Sequence, residues 1–149
     1  MAKQLFLKIL LAALLLAIAS GCAGGSQVVL VEGSERAEIL AQAEPIAEGV
    51  FAGMSARDYS LFSQDFDATM QNAMKEAAFL EMMNTLDAKV GRYLSSEVSK
   101  VEKAGDFVAV TYNAKYEQEE NVSWRVVFTP GDPMQVSGLW YDSPKLRTK

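Results

Sequence analysis

The spacing of apolar residues divides the chain into a helical half and a strand half, with the change near Gly91. Before Gly91, apolar residues recur three and four positions apart, as they do on one face of an α-helix. After Gly91, they alternate with polar residues, as they do in half-buried antiparallel strands. The pattern therefore predicts one domain over residues 34–146, in which helices come first and a sheet follows.

The first predicted helix covers about residues 34–51 and contains Pro45. Proline lacks an N–H and clashes with the preceding turn, so two arrangements are compatible with this segment. Either the helix is kinked at Pro45, or it begins near Glu44 with the proline in its first turn. In both cases Gly53 is expected to close the helix.

Short polar residues predict where the next helices begin. Ser55 or Asp58 is the expected N-cap of a short helix, and Asp67 is the expected N-cap of the one that follows. A longer helix then ends at Gly91. Five methionines near the apolar face of these helices are interpreted as core residues, at positions 54, 70, 74, 82 and 83.

Alternation of apolar and polar residues predicts four strands in the second half of the chain. They cover residues 93–102, 108–117, 122–128 and 134–141. Turn residues separate them, so consecutive strands are expected to pair in antiparallel fashion. The predicted fold class is α+β, with the N-terminal helices packed on one face of a curved four-stranded antiparallel sheet.

The N-terminal segment has the layout of a secretory signal. Lys3 and Lys8 give a positive region, and residues 9–18 form an unbroken apolar run. This run has about half of the roughly 20 apolar residues that a membrane-spanning helix needs. The small residues that follow Cys22 are typical of a tether.

Residues 18–22, Ile-Ala-Ser-Gly-Cys, resemble the lipobox of prokaryotic lipoprotein precursors. That resemblance implies a signal peptide over residues 1–21, a diacylglyceryl group on Cys22, and a tether over residues 22–33. It also implies an extracytoplasmic domain that Cys22 attaches to a prokaryotic membrane, with the inner and outer membranes both open. The alternative is that Cys22 is an ordinary buried cysteine in an uncleaved helix.

Charge and composition exclude several classes of chemistry. Removal of residues 1–21, which hold two of the 14 basic residues and no acidic one, leaves 12 basic against 19 acidic residues, a net charge of −7. An acidic chain without a basic cluster argues against nucleic-acid binding. Cys22 is the only cysteine and there is no histidine, which excludes disulfides, histidine-based nucleophile systems and zinc sites with imidazole or thiolate ligands. No metal and no cofactor is expected.

The order of elements and several short motifs together suggest a family. The motifs are Arg57-Asp58-Tyr59, Phe62-Ser63, Asp65-Phe66, Gly91-Arg92-Tyr93, residues 110–116 and residues 136–141. With these motifs in this order, the chain resembles the nuclear transport factor 2-like superfamily. More narrowly, it resembles an uncharacterised family of small secreted and lipoprotein domains within it. The resemblance implies a conical pocket between the long helix and the concave sheet.

Five residues are candidates for the lining of such a pocket: Tyr59, Asp65, Tyr93, Tyr112 and Trp124. Some members of the superfamily are isomerases or dehydratases in which a pocket aspartate performs acid-base chemistry. Without histidine, a dehydratase-type Asp-His pair is excluded, while an isomerase-like aspartate, Asp65 or Asp67, with a tyrosine donor remains open. The simpler interpretation is that Asp67 caps a helix and the aromatic residues belong to the core.

Three functions are compatible with the sequence. The favoured one is a non-catalytic envelope module that binds a small apolar molecule, a peptide or a neighbouring envelope protein. The second is a small pocket enzyme that depends on Asp65 and Tyr112. The third is a structural homodimer, formed through a sheet face on which Val127, Leu139 or Tyr141 points outward.

Overall fold

The protein has two layers, with helices packed against one face of an antiparallel sheet. The structure is a computed structural model that describes residues 27–148. Its elements in chain order are β1 (Val28–Leu30), α1 (Gly33–Ala56), α2 (Tyr59–Phe62), α3 (Ala68–Ala73), α4 (Glu76–Lys89), β2 (Tyr93–Ala104), β3 (Phe107–Tyr116), β4 (Val122–Thr129), β5 (Gln135–Asp142) and α5 (Pro144–Arg147). The predictions of a signal peptide and of lipidation at Cys22 concern residues outside this range.

The sheet has five strands, so the prediction of four strands is wrong. Their order in the sheet is their order in the chain, β1-β2-β3-β4-β5, and each neighbouring pair is antiparallel. The additional strand, β1, lies inside the segment predicted as a tether. Its three residues are all apolar and all exposed, so the segment shows no alternation that would have indicated a strand.

Helix α1 runs without interruption through Pro45, so a start near Glu44 is wrong. Pro45 is exposed, whereas Ala43 and Ala47 on either side of it are buried against the core. The proline removes one hydrogen bond, the one that the carbonyl of Ala41 would accept, on the solvent side of the helix. Burial of the opposite face therefore holds the helix together across this position.

Gly53 does not close α1, contrary to the prediction, but allows another helix to approach. The helix continues to Ala56, and Arg57 ends it in the left-handed conformation, with φ of 53°. A Cβ atom on Gly53 would lie 2.3 Å from the backbone nitrogen of Phe62. Glycine is needed here because α2 packs directly on the backbone of α1.

Two of the predicted helix caps are confirmed. The Asp58 carboxylate accepts a hydrogen bond from the Leu61 N–H at 3.1 Å, and the Asp67 carboxylate accepts one from the Met70 N–H at 2.7 Å. Ser55, the alternative cap for the first of these helices, instead donates to the carbonyl of Phe51 within α1 at 2.9 Å. The short helices thus begin where polar side chains satisfy free backbone N–H groups.

The core lies between the helical layer and the inner face of the sheet. The predicted alternation in β3 and β4 is confirmed, because the inward residues Val110, Trp124, Val126 and Phe128 are fully buried. Of the five methionines assigned to the core, Met74 is half-buried and the other four are buried. None of the helices within residues 27–148 is long and apolar enough to cross a membrane.

Strand β5 contains a bulge at Ser137. Val136 pairs with Phe128 and Gly138 pairs with Val127, so two steps along β5 correspond to one step along β4. The hydroxyl of the extra residue, Ser137, donates to the carbonyl of Val127 at 3.3 Å. A bulge of this kind shifts the alternation of side chains between the two faces of a strand.

Because of the bulge, Leu139 and Tyr141 point toward the core, and the expectation that they face outward is wrong. The ring of Tyr141 stacks on that of Trp124, with centroids 4.8 Å apart. Leu139 pairs with the buried Val126. On the outer face of β5 the exposed aromatic residue is Trp140, which is 58% exposed.

Candidate functional site

Three of the five predicted pocket residues meet around one side chain of α1. The ring of Phe51 stacks on Tyr93, with centroids 5.2 Å apart and planes 3° from parallel. It makes edge contacts with Tyr112 at 5.4 Å and Trp124 at 6.0 Å. The helix and three neighbouring strands, β2, β3 and β4, therefore converge on Phe51.

The other two predicted residues lie elsewhere. Tyr59 packs on Phe79, and its hydroxyl donates to the carbonyl of Met74 at 2.9 Å. Asp65 lies beside the edge strand β5, where its carbonyl accepts a hydrogen bond from the Val136 N–H at 2.8 Å. The five residues do not share one pocket, because α2 and the loop after it lead the chain toward the far edge of the sheet.

Two of the aromatic residues around Phe51 have satisfied polar atoms. The indole N–H of Trp124 donates to the hydroxyl of Tyr116 at 3.1 Å. The hydroxyl of Tyr93 donates to the Ser96 hydroxyl at 2.9 Å. Such bonds satisfy the polar tip of an aromatic residue whose ring packs in the core, as for Trp124, or against it, as for Tyr93.

Tyr112 differs from its neighbours because its buried hydroxyl has no hydrogen-bond partner within the described residues. The side chain is only 4% exposed. Burial raises the pKa of this phenol well above its ordinary value, and the nearby carboxylates of Glu44 and Glu48 raise it further. Tyr112 is therefore a neutral phenol at physiological pH, able to donate one hydrogen bond and to accept others.

The Tyr112 cavity, as we call it, is a space of about 90 Å³ between α1 and strands β2 and β3. Its lining includes Tyr112, Phe51, Ser96 and the glutamates Glu44, Glu48 and Glu97. Because a water molecule occupies about 30 Å³ in the liquid, the cavity has room for about three of them, or for a small polar group. None of the three glutamates forms an ion pair with a described residue.

The glutamates of this cavity were not among the predicted site residues. Glu44 and Glu48 are exposed on α1 one turn apart, and an exposed glutamate on a helix is ordinarily part of a solvated face. Their relation to Tyr112 depends on how α1 crosses the sheet. No local sequence signal distinguishes them from the other exposed glutamates of the chain.

A larger cleft of about 440 Å³ lies between the end of α1, helix α4 and the start of β2, with Tyr93 in its wall. Two ion pairs cross it, one between Arg57 and Asp87 and one between Arg92 and Glu117. The Arg92 guanidinium donates two hydrogen bonds to Glu117, of 3.0 and 2.8 Å. These bonds hold the pKa of Glu117 below its ordinary value and raise that of Arg92. Both arginines in this cleft thus already have anionic partners.

The outer face of the sheet carries a charged network that includes the other unpartnered hydroxyl. Glu102 accepts hydrogen bonds from Lys100, at 2.9 Å, and from Arg125. Thr111 pairs with both of these basic residues across the sheet, and its buried hydroxyl has no partner among the described residues. In the part of the chain that the structure describes, no three residues of the types His, Cys, Asp and Glu are grouped to hold a metal ion.

The fold and the cavity define a small α+β domain with a polar cavity between its long helix and its sheet. The chain belongs to a family described as a protein of unknown function (DUF3887), whose sequence pattern matches residues 47–139. The match runs from the second half of α1 to β5 and includes Phe51, Tyr93, Tyr112 and Trp124. No curated protein is similar enough to this chain to count as a match.

Proposed function

We propose that this protein is a lipid-anchored, non-catalytic binding module of the cell envelope, and that the Tyr112 cavity is its ligand site. In this proposal Cys22 carries the lipid, residues 1–21 are removed, and the domain lies outside the cytoplasm. The lipobox-like residues 18–22 support the anchor. The cavity supports the binding role.

The observation that carries the binding role is the unpartnered hydroxyl of Tyr112. A buried hydroxyl without a partner costs about 1–3 kcal/mol of stability, and phenylalanine would fill the same space without that cost. Tyr112 is among the residues that line a cavity large enough for a partner. A ligand that supplies the missing hydrogen bond is the simplest account of this arrangement.

The charges at the cavity indicate the class of ligand. Glu44 and Glu48 line it without basic partners among the described residues, so a positive group is favoured over an anion or an apolar molecule. The phenol oxygen of Tyr112 can accept a hydrogen bond from an ammonium group. We therefore infer a small ammonium group as the ligand, which differs from the small apolar molecule, one of the three ligands that the sequence left open.

The position of Asp65 favours binding over catalysis. An isomerase-like reaction needs a carboxyl group and a proton donor that face the same substrate. Asp65 contacts the edge of β5 through its backbone and does not line the Tyr112 cavity. The pair on which the enzymatic alternative depends is therefore not assembled around this cavity.

The ligand site is tested with ethylammonium chloride as the probe, followed by NMR of the protein produced from Ser26 onward. Three non-hydrogen atoms gain at best about 1.5 kcal/mol each, so we expect a dissociation constant in the millimolar range. Shifts should saturate at residues 44–51 and 96–98, and acetate should cause none there. Tyr112→Phe and Glu48→Gln should weaken binding, while Glu38→Gln, on the same helix outside the cavity, should not. Equal shifts in Tyr112→Phe would reject the site.

The anchor has a separate test in cell fractionation. Cys22→Ala should release the protein from the membrane fraction, because two or more acyl chains give stable attachment and their loss removes it. Membrane association that is unchanged in Cys22→Ala without detergent would reject the anchor. The binding measurements above would remain valid in that case.

We further propose that the domain is nuclear transport factor 2-like. The order of helices followed by antiparallel strands, and the cavity between the long helix and the sheet, support this placement. An experimental structure whose sheet order or helix placement departs from that superfamily would reject it.

A homodimer is a second candidate, because one aromatic residue stands exposed on the outer face of the sheet. Trp140 is 58% exposed, and its ring lies over Gly138, where a Cβ atom would be only 2.3 Å from it. Tryptophan in such a position is typical of protein interfaces. If this face forms a dimer, sedimentation should show two copies for the unchanged chain and one for Trp140→Gln.

A further inference from the structure

Three exposed apolar side chains lie together where β1 meets the turn between β2 and β3. Val28 and Phe107 both pair with Ala104, one from each side, so their side chains are on the same face of the sheet. Leu30, two residues along β1, shares that face. Their exposed fractions are 58% for Val28, 56% for Leu30 and 47% for Phe107. We call these three residues the hairpin patch.

The hairpin patch is the part of the domain nearest to Cys22 along the chain. Val28 follows Cys22 by six residues, which span at most about 20 Å when fully extended. A folded domain of about 120 residues has a radius of gyration of about 14 Å and a diameter well above 20 Å. An anchor at Cys22 therefore keeps the start of β1 within about 20 Å of the bilayer. This distance is shorter than the diameter of the domain.

The direction of β1 places the hairpin patch at the end of the domain where the chain arrives from Cys22. Val28, the first residue of the strand, pairs with Ala104, next to the turn that joins β2 to β3. The chain thus enters the sheet beside Phe107. The helices pack on the opposite face of the sheet, so a bilayer against the hairpin patch contacts the outer face and leaves the helical layer in water.

We propose that the hairpin patch inserts into the interfacial region of the bilayer that holds the lipid of Cys22, and so fixes the orientation of the domain. This inference rests on the lipid anchor of the proposed function. It does not depend on the ligand of the Tyr112 cavity. Burial of apolar side chains in the interface adds to the affinity of the acyl chains and turns a flexible attachment into an oriented one.

The test uses the full lipidated protein in vesicles of phosphatidylcholine, with an environment-sensitive dye on single introduced cysteines. Lipidation consumes the thiol of Cys22, so only the introduced cysteine is labelled. Phe107→Cys and Leu30→Cys report on the patch. Leu80→Cys, on α4 in the helical layer, is the matched control, since Leu80 is also exposed, at 41%.

The expected result is a blue-shifted emission and several-fold weaker quenching by iodide at positions 107 and 30 than at position 80. The double variant Val28→Ser with Leu30→Ser should still float with the vesicles but lose the shielding at position 107. Circular dichroism shows whether each variant keeps its fold.

Three results would overturn the inference in distinguishable ways. Equal quenching at all three positions in protein that floats with the vesicles would reject the patch and leave the anchor intact. Dye attachment to the unchanged protein at Cys22 would show a free thiol, which would reject the anchor and the orientation that depends on it. Shielding at position 107 in the absence of vesicles would show that another protein surface covers the patch, and would also reject it.

Discussion

The ring of Phe51 stacks on the ring of Tyr93, with centroids 5.2 Å apart and planes 3° from parallel. Phe51 also lines the Tyr112 cavity, while Tyr93 lines the larger cleft on the other side of the stacked pair. The pair therefore contributes one ring to each of the two openings. It also joins the long helix to the sheet at the centre of the domain.

Replacement of Phe51 by alanine should lower the free energy of unfolding by about 3–5 kcal/mol, as for other buried phenylalanines. Phe51 is 4% exposed, and three aromatic rings would lose contact with it. Urea denaturation measures the change. Leu80→Ala is the control, because an exposed position should change stability by less than about 0.5 kcal/mol. A loss below 1 kcal/mol in Phe51→Ala would contradict the central position of this ring.

Two glycines of α1 should respond in opposite directions to replacement by alanine. A Cβ atom on Gly53 would lie 2.3 Å from the nitrogen of Phe62, a backbone atom that cannot move without moving α2. We expect Gly53→Ala to lower stability by about 1–3 kcal/mol. Gly49 has no atom within 4 Å of such a Cβ, so Gly49→Ala should raise stability by up to about 1 kcal/mol. Thermal unfolding of both variants tests the contrast, and a shared sign would contradict it.

The hydroxyl of Thr111 has no partner in the described part of the chain, and its removal should stabilise the protein. Thr111→Val keeps the shape of the side chain and removes the unsatisfied group, for a gain of about 1 kcal/mol. Thr111→Ser keeps the hydroxyl but removes a buried methyl, for a loss of about 0.8 kcal/mol. Chemical denaturation measures the stability of the two variants. A loss of stability in Thr111→Val would show that the hydroxyl has a partner.

The ion pairs of Glu102 should make stability depend on pH in the acid range. Hydrogen bonds from Arg125 and Lys100 hold the pKa of Glu102 below its ordinary value of 4.5. Because the folded state binds this proton less readily than the unfolded state, the contribution is fully present above pH 4.5 and is lost as the pH falls through the folded pKa. Glu102→Gln should therefore lower stability at pH 7, and its difference from the unchanged protein should shrink below pH 4.5.

Unfolding free energies between pH 7 and pH 3 measure this effect. Glu38→Gln serves as the control, since Glu38 is exposed on α1 and forms no ion pair with a described residue. Its difference from the unchanged protein should stay small over the whole range. A constant difference for Glu102→Gln at all pH values would show that the carboxylate does not stabilise the fold through its charge.

The fold was largely predictable because periodicity reports burial. Helices before Gly91 and strands after it follow from spacings of three and four and from alternation, and the caps at Asp58 and Asp67 follow from local hydrogen bonding. Strand β1 was missed because three exposed apolar residues carry no alternation. The outward face of β5 was misassigned because the bulge at Ser137 has no signature in an alternating strand.

The candidate site was less predictable, because it depends on which face of α1 packs against which residues of the sheet. Tyr93, Tyr112 and Trp124 alternate like core residues, and their common contact, Phe51, comes from an element more than 40 positions earlier in the chain than Tyr93. Nothing local to Tyr112 indicates that its hydroxyl lacks a partner while that of Tyr93 has one. Such a difference arises only when the helix and the sheet are packed together.

Replacement of Tyr93 and of Tyr112 by phenylalanine should therefore have different effects, one on stability and the other on ligand binding. Tyr93→Phe loses the hydrogen bond to Ser96 and should lower stability by about 0.5–1.5 kcal/mol without weakening the binding of ethylammonium. Tyr112→Phe removes a hydroxyl that has no partner among residues 27–148, so stability should stay unchanged or rise while the binding is lost. Denaturation and NMR titration of both variants measure the two quantities. If Tyr112→Phe lowered stability and Tyr93→Phe did not, the roles assigned to the two hydroxyls would be wrong. The ligand site proposed at Tyr112 would then be rejected as well.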